Sequence, residues 1–204
     1  MHEWYAAPME GLTGWRWRQV QHEMFGRAAL YVTPFVSPNG NFSFQRKELE
    51  ELDPERNRGI PVVPQILTNR AEYFVWAAKE CRSRGWAQVD LNLGCPSGTV
   101  TGKKKGAGLL RQPELLRQLL DGIFDALPDM KISVKTRIGW ERAEEWPALL
   151  ALLETYPICR LTVHPRVRTQ FYKGTADREV FRWTAEHTAL PPVSYTHLTL
   201  PTIA

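Results

Sequence analysis

The sequence has few cysteines and none of the cysteine patterns of metal or disulfide proteins. Its 204 residues include Cys81, Cys95 and Cys159, with no CxxC pair and no cysteine–histidine spacing typical of a metal site. A sparse, odd set of cysteines is typical of a reducing compartment and not of a disulfide framework. We therefore expect a cytoplasmic protein that holds no metal.

Long apolar runs are also missing. The first residues, Met-His-Glu-Trp-Tyr, lack the basic and apolar regions of a signal peptide, and no run approaches the roughly 18 apolar residues of a spanning helix. The composition is 43% hydrophobic and 24% charged, as in an ordinary globular domain, and the net charge of +4 favours an anionic partner only weakly. We expect a monomer without a membrane partner.

Strand-like apolar segments alternate with helix-like segments along the chain. The predicted strands are Trp4–Pro8, Ala29–Val36, Pro61–Leu67, Ala87–Pro96, Lys131–Thr136, Cys159–His164 and a seventh that starts at Pro192–Val193. Such alternation predicts a parallel sheet, because each crossover helix must return over one face. No G-x-G-x-x-G follows the first strand, which argues against a dinucleotide-binding doubly wound fold. The predicted fold class is α/β, an incomplete (β/α)₈ TIM barrel with six to seven βα units.

Three residues are expected to mark helix starts. Thr13 and Asn69 are expected to cap the helices after the first and third strands, and Pro113 to begin the helix after the fourth.

Polar side chains recur where the predicted strands end. Because the carboxyl ends of barrel strands meet at one face, these side chains predict a convergent polar site there. They are Pro8–Met9, Gln65, Asn92 with Cys95, Lys135 with Arg137, and His164 with Arg166.

Several segments together resemble the tRNA-dihydrouridine synthases, which are flavin enzymes built on a (β/α)₈ barrel. The most specific is Asp90-Leu91-Asn92-Leu93-Gly94-Cys95-Pro96, and the resemblance runs from about Tyr5 to Val193. The other matching segments are Ala7-Pro8-Met9-Glu10-Gly11-Leu12-Thr13 with Trp17-Arg18, Gln65, Gly106-Ala107-Gly108-Leu109-Leu110, Ser133-Val134-Lys135-Thr136-Arg137-Ile138-Gly139-Trp140 and Val163-His164-Pro165-Arg166.

The resemblance implies a reaction and a proton donor. The family reduces the C5=C6 bond of a uridine in tRNA, with FMN that NADPH reduces first. Cys95 would donate the proton to C5, which requires a protonated thiol within hydrogen-bond reach of the base. Asn92 would orient the uracil, since an amide can both donate to and accept from a pyrimidine edge.

The resemblance also implies binding roles. Gln65, Lys135 and His164 would hold the flavin ring, and Pro8 and Met9 would form its wall. Arg137 and Arg166 would bind the flavin phosphate or RNA. Lys103, Lys104 and Lys105, a cluster after the Cys95 turn, would contact tRNA phosphates.

Simpler roles remain open for the same residues. Cys95 alone could be a small buried apolar residue, His164 a core histidine, and the lysine cluster an ordinary solvated loop. Two other functions are alternatives to tRNA reduction. One is a different FMN barrel oxidoreductase acting on a free pyrimidine or enone, and the other is a non-catalytic RNA-binding fragment.

The chain departs from the family pattern after Val193. The family continues into an Asn-Gly-Asp/Glu turn, whereas this sequence continues Ser-Tyr-Thr-His-Leu-Thr-Leu-Pro-Thr-Ile-Ala. We therefore interpret residues 1–193 as a truncated FMN-binding barrel domain and residues 194–204 as a foreign or disordered tail. An open barrel would leave the edges of the first and sixth strands unpaired, and the chain alone would bind FMN poorly and be inactive.

Overall fold

The computed structural model describes residues 4–26 and 28–195 as strands and helices in alternation. The strands are β1 (Tyr5–Ala6), β2 (Leu30–Val32), β3 (Val62–Val63), β4 (Gln65–Ile66), β5 (Gln88–Leu93), β6 (Lys131–Arg137), β7 (Arg160–His164) and β8 (Pro192–Ser194). The α-helices are α1 (Trp15–Met24), α2 (Arg46–Glu51), α3 (Ala71–Ser83), α4 (Gly98–Thr101), α5 (Pro113–Ala126), α6 (Trp146–Leu153) and α7 (Arg178–His187).

All strand pairs are parallel, and the strands follow one another in chain order. One sheet has the order β1-β2-β3 and the other the order β4-β5-β6-β7-β8. An isolated bridge between Val36 and Ile66 connects the two sheets. The result is a curved parallel array with helices outside it, which confirms the predicted partial (β/α)₈ barrel.

The third predicted strand is interrupted at Pro64, which separates β3 from β4. Proline has no N–H to donate to a sheet ladder, and since the Pro64 carbonyl accepts from the Asp90 N–H, the missing donor falls in the ladder with β5. Beyond Pro64, the backbone N–H of Val36 donates to the Gln65 carbonyl at 2.8 Å. The predicted second strand, Ala29–Val36, is too long, because only Leu30–Val32 form a continuous strand and the Gln65 N–H then donates to the Thr33 hydroxyl in place of a backbone carbonyl.

The helices cover the outside of the sheet with apolar faces. On α5 the side chains of Leu116, Leu119, Leu120 and Ile123 are buried, at the spacing of one helical face. Pro113 begins this helix as predicted, where its missing N–H costs nothing. No helix among the described residues is long and apolar enough to cross a membrane.

Two predicted helix caps are wrong. The residue before α1 is Gly14, and the Thr13 hydroxyl instead accepts from the backbone N–H of Met9 at 2.8 Å. Arg70 precedes α3, while the side-chain amide of Asn69 donates to the Lys103 carbonyl at 3.0 Å. Both side chains stabilise loops at the carboxyl end of the barrel.

A buried cation anchors α1 to the rest of the fold. The Arg18 side chain is fully buried and donates to a Glu51 carboxylate oxygen at 2.9 Å and to the Thr13 carbonyl at 3.0 Å. It also donates to the Glu51 carbonyl and to Asn57 Oδ1. Since Thr13 in turn holds Met9, this cluster connects α1 to the loop that follows β1.

The open edges of the barrel are not the ones predicted. Among the described residues β7, the sixth strand of the barrel, pairs with β8. With β3 and β4 counted as one strand interrupted at Pro64, the two outer edges are therefore those of β1 and β8. β8 extends through Ser194, and the Tyr195 N–H donates to the Val163 carbonyl at 2.9 Å. The assignment of residues 194–204 to a foreign tail stays a prediction, and residues 196–204 lie outside the described part of the chain.

Candidate active site

A cavity of about 350 Å³ lies at the carboxyl ends of the strands. Most of the predicted site residues line this cavity, and they come from five positions around the barrel. Those that line it are Pro8, Met9, Gln65, Asn92, Cys95, Lys135, Arg137 and His164. The rule that carboxyl ends of parallel strands converge therefore held for these side chains.

The Cys95 turn is built by Asn92. The side-chain oxygen of Asn92 accepts from the backbone N–H groups of Gly94 and Cys95, at 3.0 and 2.9 Å. Gly106 packs behind the turn with φ +55°, and a Cβ there would lie 3.0 Å from the Cβ and carbonyl oxygen of Cys95. Backbone and packing thus hold the cysteine at the cavity.

The surroundings of the Cys95 thiol favour its protonated form. Burial raises the pKa of Cys95 and the Glu10 carboxylate adds to the rise, whereas a hydrogen bond from the Ser97 backbone and the charges of Arg137 and Lys135 oppose it. A thiol that keeps its proton at neutral pH can act as an acid. By contrast, Cys81 is fully buried in the core on α3, and burial raises its pKa to about 12.

Lys135 places a cation on the cavity wall. Burial lowers the pKa of Lys135 to about 8, with a further lowering by Arg137, while Asp90 opposes the shift. The ammonium nitrogen lies 4.3 Å from the centre of the Tyr195 ring. The side chain therefore keeps its charge at neutral pH and can face an anionic group in the cavity.

His164 is held in one tautomer by Arg166. A guanidinium nitrogen of Arg166 lies 2.9 Å from His164 Nε2. Arginine can only donate, so Nε2 accepts and the imidazole of His164 carries its proton on Nδ1. Arg166 also donates to the Gly174 carbonyl, is 7% exposed and does not line the cavity. These contacts position His164, and the expected contact of Arg166 with phosphate or RNA stays a prediction.

The remaining predicted cations lie in different surroundings. Arg137 lines the cavity and donates to the carbonyls of Gly94 and Val167, which ties the loops after β5 and β7 together. Lys103 and Lys104 are exposed beyond α4 and do not line the cavity. Lys105 is half-buried and donates to the Ser37 hydroxyl at 3.3 Å.

A cation–aromatic cluster near the cavity was missed from the sequence. The guanidinium carbons of Arg111 and Arg168 lie 4.3 and 4.7 Å from the centre of the Trp140 ring, and Arg168 also contacts Phe171 at 4.7 Å. These residues follow β5, β6 and β7, so each belongs to a loop at the carboxyl end of the barrel. Extending the strand-end rule a few residues into each loop finds Trp140 and Arg168, but not Arg111, which lies beyond α4 and just before α5.

Aromatic residues of the cavity wall were missed too. Phe35, Tyr172 and Tyr195 line it, and the His164 ring lies 5.2 Å from the Tyr195 ring. A neighbouring cavity of about 430 Å³ shares Glu10 and Phe35 with this one, but its lining holds no thiol or imidazole. The described residues contain no group of three side chains suited to a metal ion.

Comparison with known proteins decides the family. A family model described as "Dihydrouridine synthase (Dus)" matches residues 5–182. The chain belongs to the dihydrouridine synthase family. The resemblance inferred from the sequence is thereby confirmed.

Curated relatives agree with this assignment. The chain is 33% identical to the tRNA-dihydrouridine(16) synthase of Vibrio vulnificus, over 82% of this chain and 54% of the relative. It is 30% identical to tRNA-dihydrouridine synthase B of Proteus vulgaris, over 96% of this chain and 60% of the relative. The dihydrouridine synthase barrel described here thus spans little more than half the length of these relatives.

A solved structure supports the fold alone. A protein of Coccidioides immitis described as a deoxyribose-phosphate aldolase superposes with a TM-score of 0.57 at 12% identity, over 94% of this chain and 70% of that one. At this identity the similarity concerns the path of the backbone, and the chemistry of this Dus barrel must be argued from its own side chains.

Proposed function

We propose that this chain carries the catalytic barrel of a tRNA-dihydrouridine synthase, which reduces the C5=C6 bond of a uridine in tRNA. The observation that carries the proposal is the Cys95 thiol, whose pKa is raised by burial, in one cavity with Lys135, His164 and the side-chain amides of Gln65 and Asn92. Family membership supplies the reaction class, and the cavity supplies an acid with its proton in place.

FMN is the proposed cofactor, and the residues present fit it. A cavity of about 350 Å³ falls within the usual range for small-molecule sites, about 300–1,000 Å³. Amide N–H groups suit the carbonyl-rich edge of a flavin, and a buried cation such as Lys135 suits the negative charge of its reduced form. When bound and reduced by NADPH, FMN would supply the hydride that goes to C6.

The chain's own residues perform the rest of the reaction. Cys95 donates its proton to C5, which completes the saturated ring without leaving a charge on the base. Arg166 donates to His164 Nε2 and so holds the imidazole at the cavity wall, where it can position the bound ring. Pro8, Met9 and Phe35 form apolar walls that limit water around the reacting atoms.

A spectrum and a product analysis test this proposal. The protein is prepared alone and joined to the remaining part of the Proteus vulgaris relative, because the chain spans only part of that protein. We expect flavin absorbance in the joined protein, bleaching by NADPH, and dihydrouridine in tRNA by mass spectrometry. Reduction of free uridine or an enone in place of tRNA would favour the other oxidoreductase, and RNA binding without flavin would favour the non-catalytic fragment.

The cation–aromatic cluster is the proposed contact for tRNA phosphates. Among the described residues, neither Arg111 nor Arg168 forms an ion pair with a carboxylate. Stacking on Trp140 restricts both guanidinium groups, so less side-chain entropy is lost when they bind an anion. Arg168 also donates to the Thr101 hydroxyl at 3.3 Å, which places it beside the end of α4 that precedes the exposed Lys103 and Lys104.

We expect Arg111→Ala/Arg168→Ala to weaken tRNA binding. Removing two phosphate contacts lowers the slope of log K against log salt by about 1–2, measured by filter binding between 50 and 200 mM salt. Lys79→Ala/Arg82→Ala is the matched control, since it removes two exposed cations near the carboxyl end of α3, away from the loops that hold Arg111 and Arg168. Equal slopes for the two double variants would show that this surface does not contact RNA.

A further inference from the structure

A chain of hydrogen bonds runs from the interior of the barrel to the cavity. The Ser133 hydroxyl donates to Asp90 Oδ1 at 2.6 Å, and the Gln65 amide nitrogen donates to Asp90 Oδ2 at 2.7 Å. The Asn92 amide nitrogen donates to the Gln65 amide oxygen, also at 2.7 Å. These side chains come from β4, β5 and β6 and are at most 7% exposed.

The chain of bonds ends on the Cys95 turn. Asn92 Oδ1 accepts from the backbone N–H groups of Gly94 and Cys95. A backbone N–H can only donate, so the oxygen of Asn92 must face the turn and its nitrogen must face Gln65. The conformation of the turn thus depends on which way the Asn92 amide is oriented.

The other end of the chain fixes the same orientation. A carboxylate accepts only, so Asp90 requires the nitrogen of Gln65 on its side, which leaves the Gln65 oxygen for Asn92. Burial raises the pKa of Asp90, whereas hydrogen bonds from Ser133 and Gln65 and the charges of Lys135 and Arg160 favour the carboxylate. The Asp90 carboxylate accepts at one end, and the Gly94 and Cys95 N–H groups donate at the other. Only one orientation of the Gln65 and Asn92 amides satisfies both ends.

We propose that Asp90 is a positioning residue that orients the Gln65 and Asn92 amides and thereby sets the conformation of the Cys95 turn. Asp90 acts through these amides and is not itself placed among the cavity-lining residues. The proposal deepens the proposed function, on which it rests only for the role of Cys95 as proton donor.

The first test breaks one hydrogen bond of the chain with a single substitution and then restores it, in the opposite direction, with a double substitution. Asn92→Asp places an oxygen against the Gln65 oxygen, and we expect the melting temperature to fall by about 4–8 °C. Asp90→Asn alone keeps an acceptor for Gln65, and a smaller fall is expected. In the double variant Asp90→Asn/Asn92→Asp, Gln65 turns its amide over and accepts from the new amide at position 90 while donating to the new carboxylate at position 92.

Rescue is therefore the expected result of the double variant. Its melting temperature should be above that of Asn92→Asp, and the rate of Cys95 alkylation by iodoacetamide should move back toward the wild-type value. Additive losses in the double variant would overturn the proposal, because residues that merely fill space have no reason to compensate each other.

A second test does not depend on whether those variants fold. Gln65→Glu sets two carboxyl groups side by side, and they can stay in contact only while sharing a proton. The folded-state pKa of the new carboxyl is thus raised above its unfolded value, so its stability contribution is present at low pH and lost as pH rises. We expect the melting temperature of this variant to fall between pH 5 and 8 by several degrees more than that of wild type.

The matched control for this test is Gln170→Glu. Among the described residues Gln170 uses only its amide oxygen, which accepts from the Val167 N–H at 2.8 Å, so a carboxylate can replace it. A pH dependence of Gln65→Glu no larger than that of Gln170→Glu would contradict the proposal. Neither readout involves turnover, so failure here is separate from failure to reduce tRNA.

Discussion

Replacing Cys95 with alanine is expected to lower dihydrouridine formation by about 10²–10⁴-fold, the usual contribution of a general acid. The substitution removes the proton donor and leaves Gln65, Lys135 and His164 in place around the proposed flavin site. Reduction of bound flavin by NADPH should therefore proceed at the wild-type rate. Dihydrouridine is measured by mass spectrometry of tRNA, and flavin reduction by absorbance.

Cys159→Ala is the matched control for Cys95→Ala. Cys159 is also a half-buried free thiol whose pKa is raised by burial, but it does not line the cavity. We expect its product yield to be near wild type. Undiminished product from Cys95→Ala would mean that another group supplies the proton, and loss of flavin reduction would mean that the thiol holds the cofactor.

Replacing Arg18 with alanine is expected to lower the free energy of unfolding by about 3–5 kcal/mol, as measured by urea denaturation. The change leaves the buried Glu51 carboxylate and Asn57 Oδ1 without the guanidinium that donates to both. Burial lowers the pKa of Arg18 and the Glu51 carboxylate opposes that shift, so the buried guanidinium is stabilised by Glu51. An uncompensated buried carboxylate is the main source of the expected loss.

Arg16→Ala separates this effect from a general effect on α1. Arg16 is exposed on the same helix and contacts only the Trp15 ring, at 4.4 Å, among the contacts described. Its removal should cost less than about 1 kcal/mol. Equal losses for the two variants would mean that the Glu51 contact contributes little to stability. Since Arg18 also holds Thr13 and hence Met9, the larger loss should extend to the cavity wall.

The sequence predicted which side chains converge on one cavity better than it predicted the contacts between them. Gln65, Asn92, Cys95, Lys135 and His164 were found because strand ends in a parallel barrel converge, which is a property of chain direction alone. The orientation of a side chain is not contained in that rule.

Other features could not be predicted because they depend on contacts between distant loops. Arg166 lies in a strand-end motif, yet it donates to His164 and Gly174 and not to the cavity. The packing of Trp140 between Arg111 and Arg168 joins three loops that no sequence period relates. The interruption at Pro64, in contrast, was visible from residue type, since proline lacks the N–H that a ladder needs.

The order of strand pairing has a consequence for how the chain folds. Among the described strands, each ladder joins strands that follow one another in the chain, and the most widely separated partners lie in the β5–β6 ladder, for example Gln88 and Lys131. Contacts between segments that are close in sequence form faster than contacts between distant ones. Each of these ladders can therefore form as soon as its second strand leaves the ribosome.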